Sequence, residues 1–537
     1  MKKIFVFFTL VLLSINSFSQ WQWAKQIGGP NYDGGGTLID SNDNMYCAGI
    51  FHGSCYFDND TLYSVGTNDV FLAKYDASHN ELWAKRFGGN NPINHDEWTG
   101  GTIIDNVNNC IYFSGTFYGS LLIDVFSLSA SGNLDIFLAK FDFNGNCLWL
   151  KKAGSFPDDS PGTININSTG NIYWTGVLGG NGNLDSYSLN KGTFLAELDT
   201  SGNVIWARNE MTGGYPSKIK IVNDVLYFCG ITTNDTTVID TITLLGSNYV
   251  DCLIGKLDTA GNVFWAKRFG GNSTDYGIDL EMDANMNLYN VGQFQDSLIV
   301  GGDTLTNNHK ADMYFAKFDS SGNLIWIKQS HADGYFGALG KAIIKDADGA
   351  FYTAGYFGGN ASFGSFNVAS AVSNSKDLFV AKYDTGGSCI GLIHCGEAEA
   401  NGVQLDNSGS LIVSGDFVNT ATFGSTSLTF YGVQDMFFAK SDAITGGIGG
   451  ERPINNQLVI YANPNAGKCN ITIPEEFLHE KKLTLSIFNN EGKLIQEKTL
   501  EMHEGKIKIN LEAEAKGVYN VILSDGKKSY GGKIVFE

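Results

Sequence analysis

One eight-residue pattern recurs seven times and limits the folds that this chain can adopt. It starts with an aspartate, alternates aromatic and aliphatic residues, and ends in Ala-Lys-aromatic-Asp, as in Asp69-Val-Phe-Leu-Ala-Lys-Tyr-Asp76. A repeat of this length, about 61 residues, predicts an architecture built from copies of one unit. The copies start at Asp69, Asp135, Gly192, Asp251, Asp312, Asp377 and Asp435.

A second landmark is a tryptophan fourteen residues after the start of each of the first five copies. One more copy of this segment, residues 21–25 (WQWAK), stands before any aspartate pattern. Each unit also contains two further apolar runs, such as 36–40 and 44–51, which are separated by a turn rich in Gly, Asn and Asp. The sequence therefore predicts four strands per unit. The tryptophans are Trp83, Trp149, Trp206, Trp265 and Trp326.

Four antiparallel strands repeated seven times predict an all-β fold, a seven-bladed β-propeller. In the first copy, Phe71, Ala73 and Tyr75 fall on one face of the strand, and Val70 and Leu72 fall on the other, so both faces meet neighbouring blades. Residues 21–25 are expected to pair with the strand around 435–440, which would close the ring and remove an open sheet edge. We interpret the tryptophans as blade-packing residues.

These motifs resemble the bacterial β-propeller repeat type known as SBBP, whose hallmark is this Asp-to-Lys pattern followed by a Gly-Asn-x-x-Trp-Ala-Lys segment. The resemblance covers residues 21–442. It implies the fold and leaves the activity open, because propellers include enzymes, binding modules and scaffolds.

The N-terminus predicts export. Residues 1–19 combine Lys2 and Lys3 with an apolar run and a small-residue exit, which is typical of a signal peptide cleaved before Gln20. No later segment is apolar enough for a membrane span. The 36 basic and 56 acidic residues give a net charge of −20, which excludes nucleic acid as a partner. We expect a soluble monomer outside the cytoplasm.

The nine cysteines do not repeat in register and predict no disulfide framework. Cys229 and Cys252 could lie on neighbouring strands and pair, and the alternative is that all nine are buried small side chains. The absence of a Cys-x-x-Cys pair gives no support for a zinc site.

The repeat ends near residue 442, and the domains are predicted as a signal peptide (1–19), the propeller (20–442), a glycine-rich linker (443–453) and a C-terminal domain (454–537). The linker contains the run Gly446-Gly-Ile-Gly-Gly450. Residues 20–451 carry a formal charge of about −23, whereas the tail is nearly neutral. Alternating runs in the tail predict a small Ig-like β-sandwich.

The tail resembles the C-terminal sorting domain of the type IX (Por) secretion system. The matching segments are 460–467 (IYANPNAG), 489–493, Gly517-Val-Tyr519 and Lys533-Ile-Val535, although the family usually has Pro where this chain has Ala462. The resemblance implies passage across the outer membrane of a Gram-negative bacterium, followed by release or surface attachment, with the secretion machinery as partner. It assigns the sorting signal to Asn463, Pro464, Gly467, Gly517, Tyr519 and Lys533.

Motifs for catalysis are few. The sequence contains no nucleophile elbow, zinc-protease motif or phosphate-binding loop. The cluster His95-Asp96-Glu97-Trp98 could supply an acid, a base and a stacking surface for a sugar, which makes His95 and Glu97 the candidate catalytic pair. The alternative is a solvated insertion.

Acidic residues follow the tryptophan strands in most units and could form a ligand-binding rim, for which Asp33, Asp96, Asp275 and Asp333 are the candidates. Alternatively, these acids cap the turns that start the inner strands. Inner turns such as 40–44 superficially resemble calcium loops but lack EF-hand spacing. The sequence therefore assigns no metal and no cofactor, and calcium stays an option. The other acids of this set are Glu97, Asp158, Asp159, Glu397 and Glu399.

Together these features predict a secreted or surface-displayed propeller that binds an extracellular glycan or protein, or serves as a scaffold. The alternative is a polysaccharide-degrading hydrolase or lyase. The sequence does not identify the ligand.

Overall fold

The computed structural model describes residues 21–89, 97–233, 235–246, 249–307, 310–370, 372, 374–444, 447–448, 458–461, 465–473, 477, 482–489, 493–501, 506–524 and 529–536. The predicted signal peptide lies outside these ranges. The chain divides into two compact units, 1–444 and 445–537.

The described part of the first unit consists of antiparallel strands joined by short turns. In chain order the strands are β1 (Trp21–Ile27), β2 (Asp33–Ile39), β3 (Met45–Tyr56), β4 (Thr61–Tyr75), β5 (Glu81–Phe87), β6 (Thr99–Asp105), β7 (Cys110–Ile123), β8 (Phe126–Asp142), β9 (Cys147–Ser155), β10 (Ser160–Ile166), β11 (Ile172–Leu178), β12 (Gly182–Leu184), β13 (Tyr187–Leu189), β14 (Gly192–Leu198), β15 (Val204–Thr212), β16 (Gly214–Val222), β17 (Val225–Thr232), β18 (Thr236–Ile239), β19 (Ile242–Leu245), β20 (Asp251–Asp258), β21 (Val263–Phe269), β22 (Tyr276–Met282), β23 (Leu288–Phe294), β24 (Ser297–Val300), β25 (Asp303–Thr306), β26 (Asp312–Phe318), β27 (Leu324–Ala332), β28 (Ala338–Lys345), β29 (Phe351–Phe357), β30 (Asn360–Phe363), β31 (Phe366–Ala369), β32 (Asp377–Tyr383), β33 (Cys389–Cys395), β34 (Ala398–Leu405), β35 (Leu411–Phe417), β36 (Thr420–Phe423), β37 (Thr426–Thr429) and β38 (Asp435–Ser441).

Within the described residues these strands build seven main sheets, each with four main strands in the same order, and two separate two-stranded sheets, β24-β25 and β36-β37. Their innermost strands contact one another in a cycle, from β2 through β6, β10, β16, β22, β28 and β34 back to β2. Such a ring of radially arranged sheets is a β-propeller. The sheets are sheet 1 (β2-β3-β4-β5), sheet 2 (β6-β7-β8-β9), sheet 3 (β10-β11-β14-β15), sheet 4 (β16-β17-β20-β21), sheet 5 (β22-β23-β26-β27), sheet 6 (β28-β29-β32-β33) and sheet 7 (β34-β35-β38-β1).

Sheet 7 takes its outermost strand from the other end of the repeat region. β1 pairs antiparallel with β38, in the register Ala24↔Ala439 and Gln26↔Phe437. Gln26 Nε2 also donates a hydrogen bond to the Asp435 carboxylate. The predicted ring closure by residues 21–25 is therefore confirmed.

The hydrophobic core is divided among the seven junctions between neighbouring sheets. Val70 and Leu72 pack against sheet 2, whereas Phe71, Ala73 and Tyr75 pack against sheet 7. This confirms the predicted two-faced strand. Because both faces are buried, the strand has no solvent-facing side, which explains its almost continuous apolar sequence.

The two charged ends of the repeat pattern contact other strands of the same sheet, and Lys74 Nζ also donates to the carbonyl of Phe143 in sheet 2 at 3.0 Å. The Asp69 carboxylate pairs with Arg86 of β5 and accepts the backbone N–H of Val65 at 2.9 Å. Lys74 lies over the ring of Tyr46, its partner on β3, with its nitrogen 5.0 Å from the ring centroid. Lys317 and Tyr289 repeat this contact at 4.8 Å. The aspartate therefore orders the start of the third strand, and the lysine covers its end.

The tryptophans connect neighbouring sheets, which confirms the packing role. Trp83 Nε1 donates to the carbonyl of Phe143 in sheet 2, and Trp149 Nε1 donates to Thr200 in sheet 3. Gly145 has a φ of 80°, and a Cβ there would stand 3.1 Å from the Trp83 ring. The turn of sheet 2 is thus shaped to receive the indole of Trp83, whereas Trp206 Nε1 donates to Glu197 within its own sheet.

All nine cysteines are free thiols. Cys229 and Cys252 do lie on neighbouring strands, but their partners in the sheet are Ile254 and Ile231. Burial raises the pKa of both thiols well above the usual value. The pairing option is therefore not realised, and these cysteines act as buried small side chains. Among the described residues no helix is long and apolar enough to cross a membrane.

The second unit contains two antiparallel sheets, β40-β41-β44 and β43-β42-β45-β46. One hydrophobic cluster, including Ile471, Ile487, Leu523 and Ile534, is shared by both sheets. The strands are β39 (Gly447–Ile448), β40 (Val459–Tyr461), β41 (Lys468–Thr472), β42 (Lys482–Phe488), β43 (Leu494–Glu501), β44 (Lys506–Asn510), β45 (Gly517–Ser524) and β46 (Ser529–Phe536).

Candidate functional site

The innermost strands enclose a central channel with a cavity of about 770 Å³. Residues of all seven sheets line it, which identifies it as the axis of the ring. This volume falls in the range of about 300–1,000 Å³ that is usual for ligand sites. The channel is therefore the first candidate site.

The channel wall is chemically uneven. On sheets 1 to 3 it is built from glycine, threonine and proline, for example Gly34 to Gly36 and Gly100. On sheets 4 and 5 it carries charge: Lys220 pairs with Glu281, and the charge of Lys218 opposes the effect of burial, which raises the pKa of Asp279. A ligand in the channel would meet exposed backbone on one side and paired charges on the other.

A β-bulge recurs in the innermost strands of sheets 2 to 7, opposite the second strand. In sheet 6 the extra residue is Lys341, between Gly340 and Ala342. In sheet 7 it is Asn401, between Ala400 and Gly402. Bulges redirect side chains and are common beside functional sites.

Lys341 and Asn401 belong to a polar cluster that we call the mouth network: Lys341, Lys376, Glu399, Asn401 and Asp416. Lys341 Nζ donates to Glu399 Oε2 at 2.8 Å and to Asn401 Oδ1 at 2.7 Å. Asn401 Nδ2 donates to Asp416 Oδ2 at 2.7 Å, and Lys376 Nζ donates to Glu399 Oε2 at 3.0 Å. The five side chains form one continuous hydrogen-bonded chain from sheet 6 to sheet 7.

The two carboxyl groups of the mouth network have pKa values that are shifted in opposite directions. Burial raises the pKa of Asp416 to about 7, and the nearby Glu399 charge adds to this. The lysines Lys341 and Lys376 outweigh burial at Glu399 and lower its pKa. Two neighbouring carboxyl groups thus differ in their readiness to hold a proton.

Exposed aromatic side chains are concentrated on one end of the ring. We call the end at which every innermost strand begins the upper face, and the other end the lower face. The described part of the first unit has ten exposed aromatic side chains. Nine of them lie in upper-face connections or at strand ends beside these connections, and the exception is Phe264 on an outer strand. The nine are Tyr32, Tyr56, Tyr63, Trp98, Phe156, Tyr215, Tyr249, Tyr335 and Tyr431.

The lower face is built from repeated polar turns. Asp40 Oδ1 accepts the backbone N–H groups of Asn42 at 2.8 Å and Asn44 at 2.9 Å. Asp142 makes the same bonds with Asn144 and Asn146, both at 2.9 Å. The turn at 40–44 is one of the inner turns compared with calcium loops, and the turn at 142–146 is its outer counterpart. Within the described ranges no group of three or more His, Cys, Asp or Glu side chains is arranged to hold a metal ion.

The predicted rim acids are oriented in different ways. Asp33 and Asp275 are fully buried, and each accepts a backbone N–H from the residue four positions earlier, Gly29 at 2.6 Å and Gly271 at 2.8 Å. Burial raises the pKa of each to about 7. Asp333 is exposed and accepts the N–H of Asn360 at 2.6 Å. Asp33 and Asp275 therefore order the upper-face loops in the manner of the turn-capping alternative.

The candidate pair His95 and Glu97 is only half described, because His95 and the rim candidate Asp96 lie outside the described residues. Glu97 is buried, and its Oε1 accepts the N–H groups of Gly89 at 2.7 Å and Tyr118 at 3.1 Å. Burial raises its pKa to about 8. Glu97 thus takes the same place in sheet 2 that Asp33 takes in sheet 1.

Glu97 faces the repeat-pattern aspartate of the preceding sheet. A Cβ on Gly88 would stand 2.6 Å from Asp69 Oδ1 and 2.6 Å from Glu97 Oε2. Both oxygens are buried and have no hydrogen-bond partner among the described residues. The absence of a side chain at Gly88 lets the two carboxyl groups approach across the junction between sheets 1 and 2.

The predicted sorting residues are spread over the second unit. Gly467 has a φ of 96°, and its N–H donates to Asn465 Oδ1 at 2.8 Å. Tyr519 is buried and its hydroxyl donates to the carbonyl of Ala515 at 2.5 Å. Gly517 starts β45, and Lys533 is an exposed residue of β46. Asn463 and Pro464 lie outside the described residues.

Sequence reasoning missed the glycine of each second strand. A Cβ on Gly292 would stand 1.8 Å from the Tyr276 carbonyl oxygen, and one on Gly355 would stand 1.8 Å from that of Leu339. The signal was present, since a glycine precedes the last two residues of five second strands and stands at the matching position of the longer strands β3 and β7. These glycines are Gly49, Gly115, Gly176, Gly230, Gly292, Gly355 and Gly415.

Comparison with known protein families identifies the domain type of the C-terminal tail. Residues 459–537 match the family model described as the secretion system C-terminal sorting domain. The tail is therefore a sorting domain of this kind, and it indicates export by type IX secretion to the cell surface or the extracellular space.

Two curated proteins are similar to the repeat region. An uncharacterized WD repeat-containing protein of Acanthamoeba polyphaga mimivirus is 26% identical over 391 residues, which is 64% of this chain and 26% of that protein. The regulatory protein FlaEY of Caulobacter vibrioides is 24% identical over 349 residues, which is 59% of this chain and 35% of that protein. The chain thus spans about a quarter to a third of these relatives.

Among solved structures, the Dos1 propeller aligns over 77% of this chain and 94% of its own, with 8% identity and a TM-score of 0.37. A glycoside hydrolase of family 32 from Bifidobacterium adolescentis aligns over 96% and 95%, with 9% identity and a TM-score of 0.26. These values assign neither a blade number nor an activity.

Proposed function

We propose that the protein is a secreted or surface-displayed binding module, a seven-bladed propeller of the SBBP repeat type with an Ig-like sorting sandwich. A Gram-negative bacterium would export it after removal of residues 1–19, and the type IX machinery would recognise the tail. The seven equivalent sheets and the sorting-domain match support this proposal.

The observation that carries the binding role is the difference between the two faces of the ring. Large aromatic side chains exposed to water are typical of recognition surfaces, because they bury much apolar area at a small entropic cost. Here they cluster on the upper face, where the channel opens, whereas regular polar turns form the lower face. The upper face is therefore the proposed ligand surface.

The hydrolase or lyase alternative receives less support from the described residues. Its candidate Glu97 is buried, and one carboxylate oxygen already accepts two backbone N–H groups. A general acid or base must reach the substrate. We therefore favour a binding role over a catalytic role or a scaffold role.

An array of glycans and extracellular proteins, probed with the full secreted chain, tests the binding role. We expect at least one ligand to be retained by the wild type and lost when Trp98 and Phe156 are both replaced by alanine. Val107→Ala is the matched control, because Val107 is exposed on the lower face. Equal retention by all three proteins, or no retained ligand, would contradict the proposal.

A further inference from the structure

The mouth network is a built polar site at the upper end of the channel. Glu399 and Asp416 are Cα partners at the start of β34 and the end of β35, and both positions belong to the upper face. Asp416 lines the cavity and is 6% exposed. Its Oδ1 accepts the N–H of Gly35 at 3.1 Å, which fixes the carboxyl group to sheet 1.

Aromatic rings border this network on two sides. Tyr32 is 42% exposed and lines the cavity, as Asp416 does, and burial together with the charge of Asp416 raises the pKa of its hydroxyl. On the other side, Lys376 and Lys341 lie over the ring of Tyr356, with nitrogens 4.5 and 5.6 Å from its centroid. The mouth therefore combines polar groups with apolar ring surfaces.

The polar groups of the network are already paired with one another. Both lysines pair with the Glu399 carboxylate, and the Asp416 carboxyl group bonds to Asn401 and Gly35, although residues 20–451 as a whole carry a formal charge of about −23. A free cation would have to compete with lysine for Glu399, and a free anion would have to compete with Glu399 for the lysines. The site consequently favours an uncharged ligand, whose groups can both donate and accept hydrogen bonds.

A pyranose sugar has this combination of properties. Its hydroxyl groups donate and accept at the edge of the ring, and its C–H bonds form apolar faces that pack on aromatic rings. Asn401 and Asp416 offer a planar amide and a planar carboxyl group beside Tyr32. The oxygens of Asn401 and Asp416 already accept hydrogen bonds from Lys341, Gly35 and Asn401, but each oxygen has a second lone pair that can accept a hydrogen bond from a sugar hydroxyl.

We propose that the channel mouth formed by Tyr32 and the mouth network binds a neutral pyranose unit of an extracellular glycan. This inference rests on the proposed binding function and specifies its ligand. Tyr32 supplies the stacking surface, and Asn401 with Asp416 bonds the sugar hydroxyls. Lys341 holds Asn401 in position, Asn401 in turn holds Asp416, and the two lysines at Glu399 oppose a metal ion.

Isothermal titration calorimetry on the full secreted chain tests the assignment. The probes are neutral oligosaccharides (cello-, xylo-, manno- and chito-oligomers) and two charged ones, oligogalacturonate and a chitosan oligomer. We expect a neutral oligomer to bind most tightly. Tyr32→Ala and Asn401→Ala should each weaken its binding about tenfold or more, since a stacked ring or a buried hydrogen bond contributes on this scale.

Phe264→Ala is the matched control, because Phe264 is an exposed aromatic residue on the outer strand β21, away from the upper face and outside the cavity lining. It should leave the dissociation constant unchanged. Asn401→Asp provides a second variant of nearly equal size if Asn401→Ala unfolds, and it should also weaken binding because it adds a charge beside Asp416.

The outcomes separate the two proposals. A neutral glycan that is bound equally by wild type and mouth variants, but lost in the Trp98 and Phe156 double variant, would overturn the mouth assignment and leave the upper-face function intact. Preference for a charged oligomer, or a protein ligand without any glycan, would also overturn it. Failure of the array to retain any ligand would contradict both.

Discussion

Replacing Glu97 by glutamine should stabilise the propeller at alkaline pH, which is unusual for a change at a buried, hydrogen-bonded residue. Glutamine keeps an oxygen that accepts the N–H groups of Gly89 and Tyr118. Its amide N–H₂ takes the place of Oε2 and can donate to the unpartnered Asp69 Oδ1. The glutamine side chain therefore has a donor and an acceptor like the protonated acid, but it does not ionise as the pH rises.

The sign of the pH dependence follows from the numbers of protons that the folded and unfolded states bind. Burial raises the pKa of folded Glu97 from 4.5 to about 8. Between these values the folded protein binds more protons than the unfolded chain, so the free energy of unfolding falls as the pH rises. One pKa unit corresponds to about 1.4 kcal/mol, and the full shift would cost the wild type up to about 5 kcal/mol above pH 8. Glutamine at this position has no such cost.

Urea denaturation of the full chain, followed by tryptophan fluorescence at pH 5, 7 and 8.5, measures the effect. We expect the stability gain of Glu97→Gln to be small at pH 5 and to reach about 2–4 kcal/mol at pH 8.5, allowing for relaxation around the buried charge. The wild type should itself be most stable near pH 5, because Asp33, Asp275 and Asp416 shift in the same direction.

Asp142→Asn is the matched control for this experiment. The Asp142 carboxylate accepts three hydrogen bonds in a lower-face turn, and these bonds lower its pKa although burial opposes them. Its replacement should destabilise the protein at pH 7, with the loss disappearing as the pH falls below the usual carboxyl range. A Glu97→Gln protein that is less stable than wild type at pH 8.5, or equally stabilised at pH 5 and 8.5, would refute the carboxyl-pair reasoning.

Three further predictions concern the architecture. Deleting residues 20–27 should lower the melting temperature and cause self-association in size-exclusion chromatography, because the edge of β38 becomes exposed; an unchanged monomer with an unchanged melting temperature would contradict this. A chain ending at residue 451 should keep the propeller's unfolding transition but should be absent from the cell surface by immunofluorescence, and surface display without the tail would contradict the sorting assignment. Gly292→Ala should cost about 3 kcal/mol or more, because the new Cβ would stand 1.8 Å from a carbonyl oxygen, whereas Gly36→Ala, where the nearest atom is 4.0 Å away, should be tolerated in the same melting assay.

The repeat pattern predicted the architecture because each copy spans only a few neighbouring residues and the chain contains seven copies. Alternation in 69–76 defines a strand buried on both faces, and the unmatched segment 21–25 at the start predicts the partner of β38. Each unit supplies the same evidence again. Once the repeating unit is known to be a four-stranded sheet, few architectures can be built from successive copies of it.

The direction of single side chains was not predictable in this way. Asp33 and Glu97 follow outer strands in the sequence, and this position predicts side chains exposed on a rim. In the structure both carboxyl groups are buried, because they accept hydrogen bonds from backbone N–H groups of the loops. The mouth network was missed because its members come from different sheets. Asn401 contacts Gly35, 366 positions away, and bulges that no sequence period reveals set the direction of Lys341 and Asn401.

β1 completes the last sheet of the ring that surrounds the channel, and a designed cross-link measures that closure directly. Ala24 and Ala439 are Cα partners in the β1–β38 pair, so cysteines at both positions meet the distance that a disulfide requires. Non-reducing peptide mapping of the full chain should find this link after mild oxidation, together with a raised melting temperature. The control pair Ala24→Cys with Phe438→Cys places the thiols on opposite faces of the sheet and should remain unlinked. Absence of the first link, or equal linking in both proteins, would contradict the closed propeller.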